Sequence, residues 1–256
     1  MSNRFRATLV ALLSISCAAG GVSQSGNPAV NITTGPILSL RLIATAGPRL
    51  TDEVSMVGPT AVTSNGIGEI FVSDKAANTI YKLSSVLELM GEEGSPSSSV
   101  FNKPLGMACD AALNLYIADS GNKRLQILDH NLRFVRSVSS YSNQNNESVD
   151  FSLPGDIAID GEGNFWVADD NKIVKLDPFF NLLLEVSDSS PSPFIIGKVS
   201  SVRVSRYGVA VADIGNRRLA QISTAGNYIS EIDLPSPQSV AWDRDGNIWV
   251  IEQDRV

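Results

Sequence analysis

Five stretches of the chain are apolar at successive positions: "EIFVS" from Glu69, "LYIA" from Leu115, "FWVA" from Phe165, "VAVA" from Val209 and "IWVI" from Ile248. A strand with no polar face needs cover on both sides. Each run follows a short apolar segment, "PTAVT", "PLGMAC", "PGDIAI", "SSVRV" or "PQSVAW". The two are joined by "SNGIG", "DAALN", "DGEGN", "SRYG" or "DRDGN", whose Gly, Asp and Asn suit hairpin turns. Third strands, "TIYKL", "RLQIL", "KIVKL" and "RLAQI", and fourth strands, "RFVRSV", "LLLEV" and "YISEI", alternate more, as in sheets that become wetter outward. No segment has a helical period. Four antiparallel strands per unit, sandwiched between like units, predict an all-β fold of blades around an axis, a β-propeller.

The units repeat in their polar residues too. Asp74, Asp119, Asp169 and Asp213 end the second strands, with Glu252 in a degenerate fifth copy, spaced roughly 39 to 50 residues apart as propeller repeats are. Asn78, Asn122, Asn171 and Asn216 follow them. A catalytic acid usually occurs once, so recurrence predicts structural corners: the carboxylate accepts turn N–H groups and the Asn takes left-handed angles. The rival reading is carboxylates lining a metal or substrate site. Lys75, Lys123, Arg124, Lys172, Arg217, Arg218 and Arg255 fall in the same loop class, which predicts one basic face able to meet anionic groups, or else local pairing with the adjacent acids. The fourth second strand has Ala210 where the others carry Phe71, Tyr116, Trp166 and Trp249, predicting a blade with less bulk. Between blades, "GEEGSPSSSV", "SSYSNQNNESVD" and "SDSSPSPF" read as exposed connections.

The start of the chain reads differently. Arg4 and Arg6, the apolar run Ala7 to Ser16 and "CAAGG" form an export signal over residues 1–17, followed by a flexible tether at 18–28 and the propeller at 29–256. "LSISC" resembles the lipobox of bacterial lipoproteins, which implies acylation of Cys17; Ser14 departs from its usual Leu. Cleavage after Ala18 or Gly20 is the alternative. With Ala18 behind an acylated Cys17, the resemblance implies an outer-membrane anchor, so the expected location is the periplasm or that membrane. No run is long enough for a spanning helix. "AVNITTGPILSLRLIATAG" reads as two further strands that, with the two of the last copy, make a composite fifth blade. A six-bladed propeller in truncated form is the alternative.

Charge narrows the partners. The chain carries −7, and losing Arg4 and Arg6 with the signal makes it more acidic, opposite to a nucleic-acid-binding surface. Cys109 has no disulfide partner once Cys17 is acylated or removed, and within "GMACDA" it reads as a core residue. His130 is the one His; "LDHNLR" places it on an outer link, away from any triad.

"FNKPLGMACD" with "NLYIADSGNKRLQIL", and "FSLPGDIAID" with "NFWVADDNKIVKL", resemble the NHL repeat, and with the other copies the resemblance covers about 200 residues. The resemblance implies a face that binds proteins or RNA, and export with acidity argues against RNA. Catalytic relatives such as the peptidyl-hydroxyglycine lyases use a His-rich zinc site, for which this chain lacks ligands. Gluconolactonase-like propellers hold a divalent cation such as Ca through oxygen ligands in the channel. Asp156 is the one acid at its inner-strand position, against Ala61, Gly106, Ser201 and Ser239. The expectation is therefore a monomeric, non-enzymatic binding or scaffold propeller of the cell envelope that recognises a protein or glycan without a cofactor. The alternative is a cation-dependent lactonase-, hydrolase- or lyase-like enzyme working in the channel.

Overall fold

The computed structural model describes residues 56–95, 97, 100–188 and 195–252. The export signal, Cys17, the tether, the two N-terminal strands and Arg255 lie outside them. Four four-stranded antiparallel sheets follow one another in the chain. The first contains β1 (Pro59–Ser64), β2 (Ile70–Asp74), β3 (Thr79–Leu83) and β4 (Leu89–Gly94). The second contains β5 (Pro104–Cys109), β6 (Leu115–Asp119), β7 (Arg124–Leu128) and β8 (Phe134–Val138). A hairpin, β9 (Ser140–Ser142) and β10 (Ser148–Asp150), precedes the third sheet: β11 (Pro154–Ile159), β12 (Phe165–Asp169), β13 (Lys172–Leu176) and β14 (Leu182–Val186). The fourth contains β15 (Val199–Ser205), β16 (Gly208–Asp213), β17 (Arg218–Ile222) and β18 (Tyr228–Asp233), and β19 (Pro237–Trp242) with β20 (Ile248–Glu252) begins a fifth. The first strands β1, β5, β11, β15 and β19 lie side by side in that order, so the sheets radiate from a shared centre as propeller blades.

Burial follows from this stacking. Every residue of β2, β6, β12 and β16 is buried, as strands covered on both faces must be. Two expectations need correction. The third strands do not alternate: β3 is buried throughout, and its Lys82 is accommodated by an ion pair with Glu69 at 2.7 Å and a bond to the His130 carbonyl at 2.6 Å. Within the second sheet it is the fourth strand that faces water, with Phe134 and Val135 exposed in β8. And β20, which reads like the other second strands, leaves Trp249 and Ile251 36% and 43% exposed, because among the described residues its sheet stops there.

Two segments read as loops contain strands. Residues 91–94 of "GEEGSPSSSV" complete β4. "SSYSNQNNESVD" folds as the β9–β10 hairpin, which buries Tyr141 against Phe151, ring centroids 5.4 Å apart. Ala210 is fully buried among Ala212, Leu219 and Val240.

Candidate functional site

Topology puts the turns after the second strands and the loops that lead into the first strands on one face of the disc. The four aspartates sit at that face, all buried. Asp74 accepts the N–H groups of Val57 (2.6 Å) and Gly58 (2.9 Å) in the lead-in loop, and of Ala76 (3.0 Å) and Ala77 (2.9 Å) in its own turn. Asp119 accepts Asn102 N–H, Asn122 Nδ2 and Arg124 Nε, each at 2.8 Å. Asp169 accepts the N–H groups of Ser152 (3.0 Å) and Leu153 (2.6 Å). Asp213 accepts Gly197 N–H (3.2 Å), Asn216 Nδ2 (2.8 Å) and Arg218 Nε (3.0 Å). Glu252 reaches Ser236 N–H in the same manner at 3.2 Å. Each carboxylate thus ties its own blade's lead-in loop to its own corner, and the four are not brought together.

The Asn positions need a correction. Only Asn78 is left-handed, at φ 53°; elsewhere the residue in that conformation is Lys123, Asp170 or Arg217. The turn geometry requires a left-handed residue four places after Asp74, Asp119 and Asp213, and the chain fills it with whatever stands there. Asn122 and Asn216, one place earlier, turn their amides onto the carboxylate instead. In the shorter third turn Asp170 takes the strained position and Asn171 is exposed.

The basic residues divide into two groups. Arg124 is held by Asp119 and the Val100 carbonyl. Lys172 donates to Tyr141 Oη at 2.8 Å, and Arg218 is held by Asp213, Glu231 and the Ile195 carbonyl. Lys75, Lys123 and Arg217 are exposed. Cys109 packs at the edge of an apolar cluster, and burial, reinforced by Asp110 and Glu69, pushes its thiol up to about 12. That is far from a reactive thiolate.

The concave feature on the corner face is the mouth of the central channel, a cavity of about 490 Å³ lined by residues from all five inner strands. Each inner strand has a register shift near its start: Pro59/Ala61, Pro104/Met107, Pro154/Asp156, Val199/Ser201 and Pro237/Ser239. Four of the five shifts follow a proline, which has no N–H for the ladder, and the bulge residues Thr60, Gly155, Ser200 and Gln238 are among those lining the cavity. Lys75, Ser120, Asp170 and Lys198 form its rim, and Asp156 and Arg203 lie within it. A larger cleft of about 690 Å³ lies on the perimeter, but only the first and second blades contribute to it.

Asp156 is 3% exposed. Its Oδ2 accepts Arg203 Nη1 at 2.6 Å and Val202 N–H at 3.0 Å. Its Oδ1 accepts Ile157 N–H at 2.9 Å. A Cβ at Gly106 would stand 1.9 Å from Oδ1, so the glycine in β5 makes room for this carboxylate. Sequence reading singled out Asp156 but missed Arg203 and Lys198. The available signal was positional: Arg203 is the one charged residue at a place where the other inner strands have Thr63, Ala108, Ala158 and Ala241.

The donor set does not fit a His-rich metal centre. His130 lies in the turn between β7 and β8, near Glu69 and Asn131. Among the described residues no three His, Cys, Asp or Glu side chains are grouped to hold a metal ion. Asp156 spends its oxygens on protein donors.

No protein-family profile matches the chain. It is 26% identical over 170 residues to a probable peptidyl-α-hydroxyglycine α-amidating lyase of Caenorhabditis elegans, a match covering 63% of this chain and 47% of that protein. It therefore spans about half the length of that relative. Among solved structures it resembles virginiamycin B lyase from Staphylococcus aureus, with TM-score 0.57, 16% identity, and 76% of this chain and 63% of that one covered. It also resembles the glutaminyl cyclase of Myxococcus xanthus, with TM-score 0.53, 14% identity, and 77% and 87% covered. At these identities the structural likeness shows the fold. The chain is a β-propeller, and the proteins it resembles include lyases and a cyclase. No helix among the described residues is long and apolar enough to cross a membrane.

Proposed function

We propose that this protein is an NHL-type propeller that binds a small polar ligand in the corner-face mouth of its channel. The carrying observation is that all five inner strands converge on one cavity of about 490 Å³, within the size range of small-molecule sites, with Lys75, Asp156, Lys198 and Arg203 among the residues that line it. This replaces recognition by the whole basic face, since Arg124 and Arg218 are committed to the corners and Lys172 to Tyr141. The ligand is free, or is the end of an envelope protein or glycan. The envelope assignment, with Cys17 as lipid anchor, rests on the N-terminal sequence alone.

The test is a ligand-observed NMR screen of peptide and sugar fragments against the purified chain and a plugged variant, Ser239→Trp. Hits that the plug abolishes support the channel reading. Hits indifferent to it, or mapping to the perimeter cleft, sink it.

A second reading, a lyase acting at the same mouth, is favoured by the nematode relative. It expects release of amidated product from a peptidyl-α-hydroxyglycine, lost in Ser239→Trp. No turnover by folded protein removes that reading and leaves ligand binding in place.

A further inference from the structure

We infer that the channel ligand carries a carboxylate, gripped by Arg203, with Asp156 as the residue that positions the guanidinium. This deepens the channel reading and depends on it.

The repeat supplies the internal comparison. In four blades the inner-strand residue is small and its second-strand partner is aromatic: Thr63 with Phe71, Ala108 with Tyr116, Ala158 with Trp166 and Ala241 with Trp249. The fourth blade reverses the pattern, pairing Arg203 with Ala210. The bulk that Ala210 lacks stands one strand nearer the axis, in the channel, and it is cationic. One position holds an acid in a single blade, Asp156, and the neighbouring blade answers with the one Arg.

The geometry of that pair leaves a defined edge open. Nη1 of Arg203 donates to Asp156 Oδ2 at 2.6 Å and to the Val202 carbonyl at 2.7 Å. Nε and Nη2 have no protein partner among the described residues, and the side chain is 23% exposed in the cavity. Those two nitrogens present parallel N–H bonds, the fork that matches a carboxylate. Asp156 itself already accepts three protein donors and is nearly buried, so it acts through Arg203. Its packing against Gly106 fixes it from a third blade. A planar monoanion suits two donors beside a fixed carboxylate better than a phosphate dianion does, and Lys75 and Lys198 at the rim favour entry of an anion on an otherwise acidic protein.

The experiment uses the purified chain with N-acetylglycine as the probe and N-acetylglycinamide as its neutral match, followed by amide NMR. N-acetylglycine is expected to shift the amides of Ser201 to Arg203 saturably, and the amide compound to leave them unmoved. Arg203→Lys should weaken binding at least about tenfold, since the fork is lost while the charge stays. Asp156→Asn, nearly isosteric, gives opposite signs for the two roles. Weaker binding supports positioning, and tighter binding shows that Asp156 only repels the anion, which overturns its assigned role. Equal shifts with the neutral probe overturn the carboxylate inference and leave the channel reading intact, as does stronger competition by inorganic phosphate. If neither probe binds and the fragment screen also finds no channel hit, the channel reading itself fails.

Discussion

Asp119 concentrates the stabilising chemistry of a blade in one side chain. It is fully buried, and it satisfies a backbone N–H from the lead-in loop, the Asn122 amide and the Arg124 guanidinium. Removing it takes the buried charged acceptor away from three donors at once, and hydrogen bonds to a charged group are the stronger ones. Asp119→Ala is expected to lose about 3 kcal/mol, read as a fall in melting temperature. Unchanged stability together with lost ligand binding would move this residue from architecture to site. The recurrence of the acid was legible because five copies can be laid over one another. Arg203 was not, because one base on an apolar strand looks like a solvated edge until strand register sets it opposite Ala210. The left-handed turn residue was placed correctly at Asn78 and one position off in the other three corners, since Asn invites that assignment on propensity whereas the turn imposes it by geometry.

At the scale of strands and turns, the doubly apolar second strands marked the repeats and the stacking that buries them. What misled was the assumption that polar residues mark wet strands. Lys82 and Gln126 sit in buried third strands; neighbouring polar groups, visible only in three dimensions, take up Lys82. The hairpin turns carry a second recurring device. Asp129, Asp160, Asp177 and Asp243 each accept N–H groups two and four residues on. In Asp160, Asp177 and Asp243 burial pushes the carboxyl up, but the bonds from the following turn prevail and hold it below its ordinary value. In Asp129 the leading cause is the Arg133 N–H, which lowers it directly. Groups with depressed folded pKa values stabilise above the unfolded value near 3.9 and lose that contribution as pH falls through the folded value. Melting temperature should therefore hold from neutral pH to about 5 and drop below about 4. Asp160→Asn should shrink the drop. A profile that falls already between pH 7 and 5 would contradict this account.

For the whole molecule, stability is shared along a ring of sheets that each touch their neighbours, so the fifth sheet decides how the ring behaves. Among the described residues β20 has β19 on one side and a bare edge on the other, with Trp249 and Ile251 half open. A hydrophobic strand edge of this kind invites pairing. The composite-blade expectation makes a definite claim about it: the N–H groups of β20 that point away from β19 should exchange with deuterium as slowly as those of β16, where β17 covers the matching edge. Slow exchange in dilute protein, unchanged on further dilution, means that strands of the same chain complete the sheet. Slow exchange that dilution abolishes means a second copy covers it. Fast exchange means the sheet ends at β20, and the five-bladed closure is then excluded in favour of an open ring whose missing blade must come from elsewhere.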